Sequence, residues 1–171
     1  MQEINNNIAI CVATFKRPSL LKYCLSKIKL LEIPKRNKVT LIIVDNDLNK
    51  SAEPTVKIFL KKYPLPIHYV IEPNRGIVYA RNRLINEALL ISSNLICFID
   101  DDEFPKADWL IKHFFALFQH NADVTTGPVI PIDNESQVET INFPSKFKTG
   151  HTPRHIAAGN VLFKSKLVNE Q

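Results

Sequence analysis

The sequence predicts an α/β protein in which a mainly parallel sheet is flanked by helices. Short, almost uninterrupted apolar runs recur along the chain, and each of the first four is followed by a segment in which apolar residues have helical spacing. The length sets the size of the fold, because 171 residues of which 45% are hydrophobic suffice for one core. We therefore expect a single domain over residues 1–171.

The first half of the chain predicts two strand and helix pairs. Residues 8–13 (IAICVA) and 39–45 (VTLIIVD) have the continuous apolar character of buried parallel strands. Pro18 stands where the first turn of a helix tolerates proline, and apolar side chains then recur at helical spacing as far as Leu31. The second helix is predicted over residues 54–62.

The alternation continues with a third pair and a fourth strand. Residues 67–72 (IHYVIE) predict a strand, and the apolar spacing within 75–91 predicts a long helix. The run LICFI at 95–99 predicts the fourth strand. Strands that alternate with helices in this way indicate right-handed crossovers between parallel neighbours.

Beyond the fourth strand the pattern changes. After Pro105 an amphipathic helix is predicted around residues 110–118, and β character resumes over 123–132. Residues 132–155 are polar, rich in Pro, Lys and Thr, and without a sustained period, so we expect a long surface loop there. Residues 157–163 (AAGNVLF) predict a return to an ordered apolar element.

Composition excludes several classes of protein. No run approaches the roughly 20 apolar residues that cross a bilayer, and the start lacks a secretory pattern, so we expect a cytoplasmic protein. Cys11, Cys24 and Cys97 fall in apolar segments without metal-site spacing and are interpreted as buried small hydrophobic residues. The net charge of +5 comes with scattered lysines and no nucleic-acid-binding signature. Nucleic acid is not expected, whereas peripheral contact with anionic lipid at the inner face of the membrane stays open.

The clearest chemical signal is FIDDDEFP at residues 98–105, where an apolar strand leads into four consecutive acids. Carboxylates crowded this closely resist joint ionisation unless a cation or strong donors compensate, so a bound divalent cation is the simplest explanation. Ligands that offer only oxygen favour Mg²⁺ or Mn²⁺ over zinc. The alternative is an acidic turn that caps the next helix.

Asp45 ends the second predicted strand as Asp100 ends the fourth. Ligands of such sheets bind beyond the carboxyl ends of the strands, where a carboxylate can accept hydrogen bonds from a base imide or a ribose hydroxyl. The alternative is an Asx turn made by Asp45, Asn46 and Asp47.

Five segments, taken in order, resemble family 2 glycosyltransferases over nearly the whole chain: ICVATFKRP, LIIVDND, EPNRGIVYARNRLINEA, LICFIDDDEFP and AAGNVLF. The resemblance implies a GT-A fold, which is a Rossmann-like sheet flanked by helices. It implies a metal-dependent, inverting transferase that takes sugar from a nucleotide-diphosphate sugar, most commonly a UDP-sugar. The implied acceptor is an envelope saccharide or a lipid-linked molecule.

The resemblance also implies roles for individual residues. Thr14 would lie along the nucleotide, and Asp45 would hold the uracil or the ribose. Asp100 and Asp102 would bind Mn²⁺ or Mg²⁺ as the ends of a DXD-type motif. The other nucleotide-sugar-binding candidates are Arg17, Gly76, Arg81, Asn82 and Asp101, with Asp100 counted there too, and the acceptor-side candidates are Gly159 and Asn160.

Several of these side chains have simpler interpretations. Arg17 would either bind the diphosphate through two contacts or face solvent freely. Arg81 would either approach the donor or form an ion pair on the helix surface with Glu87 or another acid. His151 and His155 would be metal or phosphate ligands, or merely solvated.

The chemistry also needs a general base, because removal of the acceptor's proton by a carboxylate contributes roughly 10² to 10⁴ in rate. In the family this acid falls in an ED-type motif downstream of the segment that AAGNVLFKSKLV resembles. We therefore expect the base beyond Gln171 and a chain shortened at its C-terminus, which leaves a non-catalytic nucleotide-sugar-binding module as the alternative function. A nucleotidyltransferase is disfavoured, since the loop ATFKRPS contains no glycine.

Overall fold

The computed structural model describes residues 5–129 and 158–169, and within them it has one sheet of six strands in the order β3-β2-β1-β4-β6-β5. The strands are β1 (Asn7–Thr14), β2 (Lys38–Asp45), β3 (Ile67–Ile71), β4 (Leu95–Phe98), β5 (Val124–Thr126) and β6 (Val161–Lys164). The helices are α1 (Pro18–Ile28), α2 (Glu53–Leu60), α3 (Ile77–Leu90), α4 (Trp109–Gln119) and α5 (Lys166–Asn169).

The sheet is parallel on one side and antiparallel on the other. The strands β3, β2, β1 and β4 run parallel, so their carboxyl ends meet at one edge, where Thr14 pairs in register with Asp45. The strand β6 runs antiparallel to both β4 and β5. The prediction of a mainly parallel α/β sheet is confirmed, and the antiparallel margin adds a region that the sequence pattern did not indicate.

Each face of the sheet is covered by its own hydrophobic core. On one face α1, α2 and α4 pack against alternate residues of β1 such as Ile8 and Ile10. On the other face α3 packs through Ala80, Leu84 and Ala88 against the intervening residues. This double cover explains why the parallel strands appear in the sequence as continuous apolar runs.

The three cysteines are all buried, which confirms their interpretation as small hydrophobic residues. Burial raises the pKa of the Cys11 and Cys97 thiols well above the ordinary value. The same cause raises the pKa of Cys24, and the acids of residues 100–103 add to it.

Most predicted elements agree with the observed ones to within a few residues. The helix predicted over 54–62 is shorter, because α2 ends at Leu60. The β character predicted over 123–132 is confirmed for Val124–Thr126. The long loop predicted at 132–155 lies outside the described residues. Within the described part of the chain, no helix has the length and apolar character required to span a membrane.

Candidate functional site

The candidate site lies at the carboxyl edge of the parallel strands, where β1, β2, β3 and β4 end side by side. Thr14 is the last residue of β1, and the acidic loop at 100–103 follows β4 after one intervening residue, Ile99. Because β1 and β4 are hydrogen-bonded neighbours, their two end segments must meet. The parallel topology therefore brings together residues 87 positions apart in the chain.

Asp101 is the buried member of the acidic loop, with no exposed surface. The Thr14 hydroxyl donates a 2.6 Å hydrogen bond to Asp101 Oδ2, and Arg17 Nη2 lies 2.6 Å from Asp101 Oδ1. Burial raises the pKa of Asp101, while the Thr14 hydrogen bond and the Arg17 charge act in the opposite direction. Asp101 thus anchors the loop rather than facing solvent.

Asp100 and Asp102, which flank Asp101 in the chain, are partly exposed, at 36% and 48% of their side chains. Arg81 Nη2 donates to Asp100 Oδ1 at 3.0 Å, and Arg17 Nη1 donates to Asp102 Oδ2 at 2.8 Å. Arg17 therefore contacts two aspartates and is not a free cation. The acid that pairs with Arg81 is Asp100, which agrees with the alternative of an ion pair with an acid other than Glu87. Glu87 itself pairs with Arg83 and His68.

The acidic loop does not cap the helix that follows it. Helix α4 begins at Trp109, and its N-terminal cap position is Asp108. The capping alternative is therefore wrong, and two arginines are the observed charge compensation for the loop.

The acidic loop also fits a divalent cation, although not as a cage made by protein alone. Among the residues at 5–129 and 158–169 no three His, Cys, Asp or Glu side chains come together as a metal-holding group. Mg²⁺ is usually held by one or two carboxylates together with substrate phosphates and water. Asp100 and Asp102 suit that arrangement, because both offer oxygen ligands at the surface on either side of the buried Asp101.

Asp45 is fully buried, and its carboxylate is used within the protein. Its Oδ1 accepts from the Asp47 amide at 3.1 Å, and its Oδ2 accepts from the Ala52 amide and the Tyr69 hydroxyl, both at 2.8 Å. The bond from the Asp47 amide is the Asx turn of the alternative interpretation, and the bond from the Ala52 amide ties Asp45 to the residue before α2. The Asp45 side chain has no exposed surface in the observed conformation, and its contact with a nucleoside stays a prediction.

Asn46 is a structural residue of the site that the sequence analysis named only as part of a turn. Its Nδ2 donates to the carbonyls of Glu72 and Asn74, and its Oδ1 accepts from the Gly76 amide at 2.7 Å. These bonds join the loop after β2 to the loop before α3. Gly76 precedes α3 and has φ 140°, a backbone conformation that glycine adopts readily, while its role in binding the nucleotide sugar stays a prediction.

Phe15 was missed by the sequence analysis. It follows Thr14 at the end of β1, and the Arg75 guanidinium lies 4.9 Å from the centre of its ring. An aromatic residue directly after a strand-end threonine was the signal in the sequence. The predicted binding residue Asn82 is exposed on α3 and stays a prediction, while His151 and His155 lie outside the described residues.

Asn160 is buried at the start of β6, where its side-chain amide is occupied by protein partners. Its Oδ1 accepts from Trp109 Nε1 at 2.8 Å and from His113 Nε2 at 2.9 Å, and its Nδ2 donates to the Pro128 carbonyl at 3.2 Å. Because Asn160 Oδ1 can only accept, His113 Nδ1 accepts from the Thr125 hydroxyl at 2.9 Å. Asn160 is therefore a structural node, and its place on the acceptor side stays a prediction.

Gly159 and Glu103 lie on the same side of the acidic loop. A Cβ atom added to Gly159 would approach the carboxylates of Asp100 and Glu103, so the glycine lies beside the predicted metal motif rather than apart from it. Burial and the neighbouring Asp100 charge raise the pKa of Glu103.

Comparisons with known proteins agree with one another. A family model, Glycosyl transferase family 2, matches residues 9–165. The chain is 31% identical over 123 residues to the succinoglycan biosynthesis protein ExoM of Rhizobium meliloti (strain 1021), a match that covers 72% of this chain and 38% of that protein. It is 24% identical over 124 residues to glycosyltransferase GlyA of Streptococcus pneumoniae serotype 4 (strain ATCC BAA-334 / TIGR4), covering 72% of this chain and 17% of that one.

Solved structures share the fold at low sequence identity. The mannosyltransferase PcManGT from Pyrobaculum calidifontis, in complex with GDP-Man and Mn²⁺, aligns with a TM-score of 0.74 and 17% identity over 98% of this chain and 47% of its own. S. aureus TarS 1-349 in complex with UDP aligns with a TM-score of 0.67 and 15% identity over 96% of this chain and 48% of its own. The chain thus spans less than half the length of these relatives.

Proposed function

The chain belongs to glycosyl transferase family 2, and we propose that it binds a nucleotide-diphosphate sugar at the carboxyl edge of its sheet and acts in transferring that sugar to an acceptor hydroxyl. One observation carries the proposal: β4 delivers three aspartates to this edge, where Thr14, Arg17 and Arg81 hold them. Ligands of open α/β sheets bind outside the carboxyl ends of the strands, which supports this location.

The donor we propose is a UDP-sugar. The solved neighbours hold GDP-Man, UDP or UDP-GlcNAc, so a nucleoside diphosphate is what their ligands share. Phe15 supports a nucleoside at this edge, because a base can stack on an aromatic ring whose face now carries the Arg75 cation. The preference for uridine rests on the family resemblance.

Arg17 and Arg81 supply positive charge where the diphosphate would lie. A guanidinium can bind two phosphate oxygens at once, and 44% of the Arg17 side chain is exposed. Asp100 and Asp102 are the residues that would hold Mn²⁺ or Mg²⁺. When bound, that cation would neutralise negative charge on the departing nucleoside diphosphate. Asp101, buried and hydrogen-bonded to Thr14, keeps the loop in place for both contacts.

We propose that the reaction inverts the anomeric centre, with the acceptor hydroxyl attacking as it loses its proton to a carboxylate. That general base is unassigned among the residues described: Asp45 and Asp101 are buried, and Asp100 and Asp102 are paired with arginines. A saccharide acceptor is favoured by the relative named for succinoglycan biosynthesis, whereas an envelope or lipid-linked acceptor rests on the family resemblance. Peripheral contact with the membrane stays a prediction.

Calorimetric titration of UDP tests the proposal, with Mn²⁺ present or with EDTA. We expect UDP to bind with Mn²⁺, to bind at least about tenfold more weakly in EDTA, and to bind more tightly than GDP or ADP. Asp102→Ala should lower the Mn²⁺-dependent affinity to a similar extent. Asp108→Ala is the matched control, because Asp108 is a partly exposed aspartate that pairs with Lys112 outside the acidic loop. Equal affinity in Mn²⁺ and in EDTA would contradict the metal-bridged site.

A further inference from the structure

Gly159 lies at the turn before β6, against the acidic loop. A Cβ atom at this position would lie 2.6 Å from Asp100 Oδ2 and 2.8 Å from Glu103 Oε1. Both distances are shorter than the 3.0 Å below which real Cβ atoms essentially never approach other heavy atoms. Only a glycine therefore leaves both carboxylates where they are.

Space, and not backbone conformation, is the reason for glycine at this position. Gly76 is the one glycine with positive φ among the described residues, so the Gly159 backbone lies outside the left-handed region. A positive φ is therefore not what requires a glycine at this position. The effect of a substitution would thus be local to the carboxylates that face the added methyl group.

The turn at Gly159 cannot easily move away from the acidic loop. The neighbouring Asn160 is buried and held by hydrogen bonds from Trp109 and His113. Asp100 is held on its other side by Arg81 at 3.0 Å. An added methyl group would consequently displace the ends of the Asp100 and Glu103 side chains rather than the β6 backbone.

We propose that Gly159 is a positioning residue for the donor-side carboxylates Asp100 and Glu103. The inference rests on the proposed function and gives Gly159 a role on the metal and diphosphate side of the site, in place of the acceptor side expected from the sequence. The turn before β6 thereby sets the position of a carboxylate at the end of β4.

The test compares Gly159→Ala with the wild-type chain in UDP affinity, melting temperature and the ¹³C carboxyl NMR signals of Asp100 and Glu103. Gly127→Ala is the matched control, because its Cβ would meet the Asn160 amide group at 3.0 Å and contacts no carboxylate. We expect Gly159→Ala to shift both carboxyl signals and to lower UDP affinity in Mn²⁺ at least about tenfold, with the melting temperature of the wild type. Gly127→Ala should leave both carboxyl signals and the affinity unchanged.

The outcomes separate this proposal from the proposed function. If the wild-type chain binds UDP and Gly159→Ala binds it equally well, the positioning role is overturned and the proposed function stands. A larger loss of melting temperature in Gly159→Ala than in Gly127→Ala would also overturn it, because Gly159 would then be needed for the fold. If the wild-type chain does not bind UDP with Mn²⁺, the proposed function fails, and the carboxyl signals alone decide whether Gly159 positions the two acids.

Discussion

Two polar clusters lie on either side of the strand pair β4 and β6, and they are built differently. The acidic edge, formed by Thr14, Arg17, Arg81 and residues 100–102, is charged and partly open to solvent. The Asn160 node, formed by Trp109, His113, Thr125 and Asn160, consists of uncharged hydrogen-bonding groups that are buried or half-buried.

The clusters also differ in how completely their groups are paired. In the node, Asn160 uses both ends of its amide. At the acidic edge, Asp101 Oδ1 lies 2.6 Å from Arg17 Nη2 without an aligned hydrogen bond. Fully paired buried groups fix a structure, whereas charged, incompletely paired groups in an open site can exchange partners with a ligand. The difference indicates that the node holds the antiparallel margin together while the acidic edge is available for binding.

The largest expected effect comes from breaking the node. Asn160→Ala would leave the Trp109 and His113 N–H groups without their acceptor in the interior, so we expect a loss of about 2–4 kcal/mol in the free energy of unfolding. Chemical denaturation measures it. Asn82→Ala, at an exposed asparagine on α3, should change that free energy by less than about 0.5 kcal/mol. A loss below about 1 kcal/mol in Asn160→Ala would remove the distinction between the clusters.

Asp45→Asn tests whether Asp45, a buried acid at the binding edge, stabilises the fold as the Asn160 node does. Asp45 now accepts hydrogen bonds from three donors, and an asparagine would turn its N–H₂ group toward at least one of them. Because two donors would then face each other, we expect a loss of about 1–3 kcal/mol in the free energy of unfolding. Preference for UDP over GDP should be unchanged. Altered nucleotide preference with wild-type stability would instead return Asp45 to the nucleoside-binding role.

How far the sequence predicts this molecule depends on the distance over which the decisive contacts act. Local apolar spacing determines β1 to β4 and α1 to α4, and these were predicted. The antiparallel placement of β6 and the Asn160 node were not predicted. Both depend on contacts of residue 160 with residues that precede the segment 132–155, and that segment has no periodic pattern from which such contacts could be inferred. The strand-end position of Asp45 was predicted, but its burial depends on Tyr69 of the neighbouring strand.

Arg17→Gln tests partner exchange at the acidic edge, with effects of opposite sign on two ligands. Removing the guanidinium takes a positive charge away from Asp101 and Asp102, so Mn²⁺ alone should bind severalfold more tightly. UDP in the presence of Mn²⁺ should bind roughly fivefold to tenfold more weakly, because a phosphate contact is lost. Calorimetry measures both affinities, and Lys22→Gln on the exposed side of α1 is the control. Changes of the same sign for both ligands would argue against exchange.

The smallest effect concerns the pH dependence of the node. Burial lowers the pKa of His113, although its hydrogen bond with Asn160 acts in the opposite direction. Since the unfolded histidine takes up a proton at higher pH than the folded one, the free energy of unfolding should fall as the pH drops below about 6.5, by at most about 1.4 kcal/mol per pH unit. Denaturation at pH 7.5 and 5.5 should show a smaller decrease for His113→Gln than for the wild type.

The raised pKa values of Asp101 and Glu103 act with the opposite sign, because the folded state takes up those protons first. Asp101 and Glu103 are present in both the wild type and His113→Gln, so their contributions cancel when the pH dependences of the two proteins are compared. An identical pH dependence in His113→Gln and the wild type would show that His113 does not titrate with folding.

Paramagnetic broadening of backbone amide NMR signals by Mn²⁺ with UDP would locate the bound cation on the molecule. We expect broadening to be strongest at residues 14–17 and 100–103, to be abolished in Asp102→Ala, and to leave sharp signals for Lys38 and Ser92 at the opposite edge of the sheet. Broadening centred on any other part of the sheet, or unchanged in Asp102→Ala, would contradict the assignment of the acidic edge as the donor site.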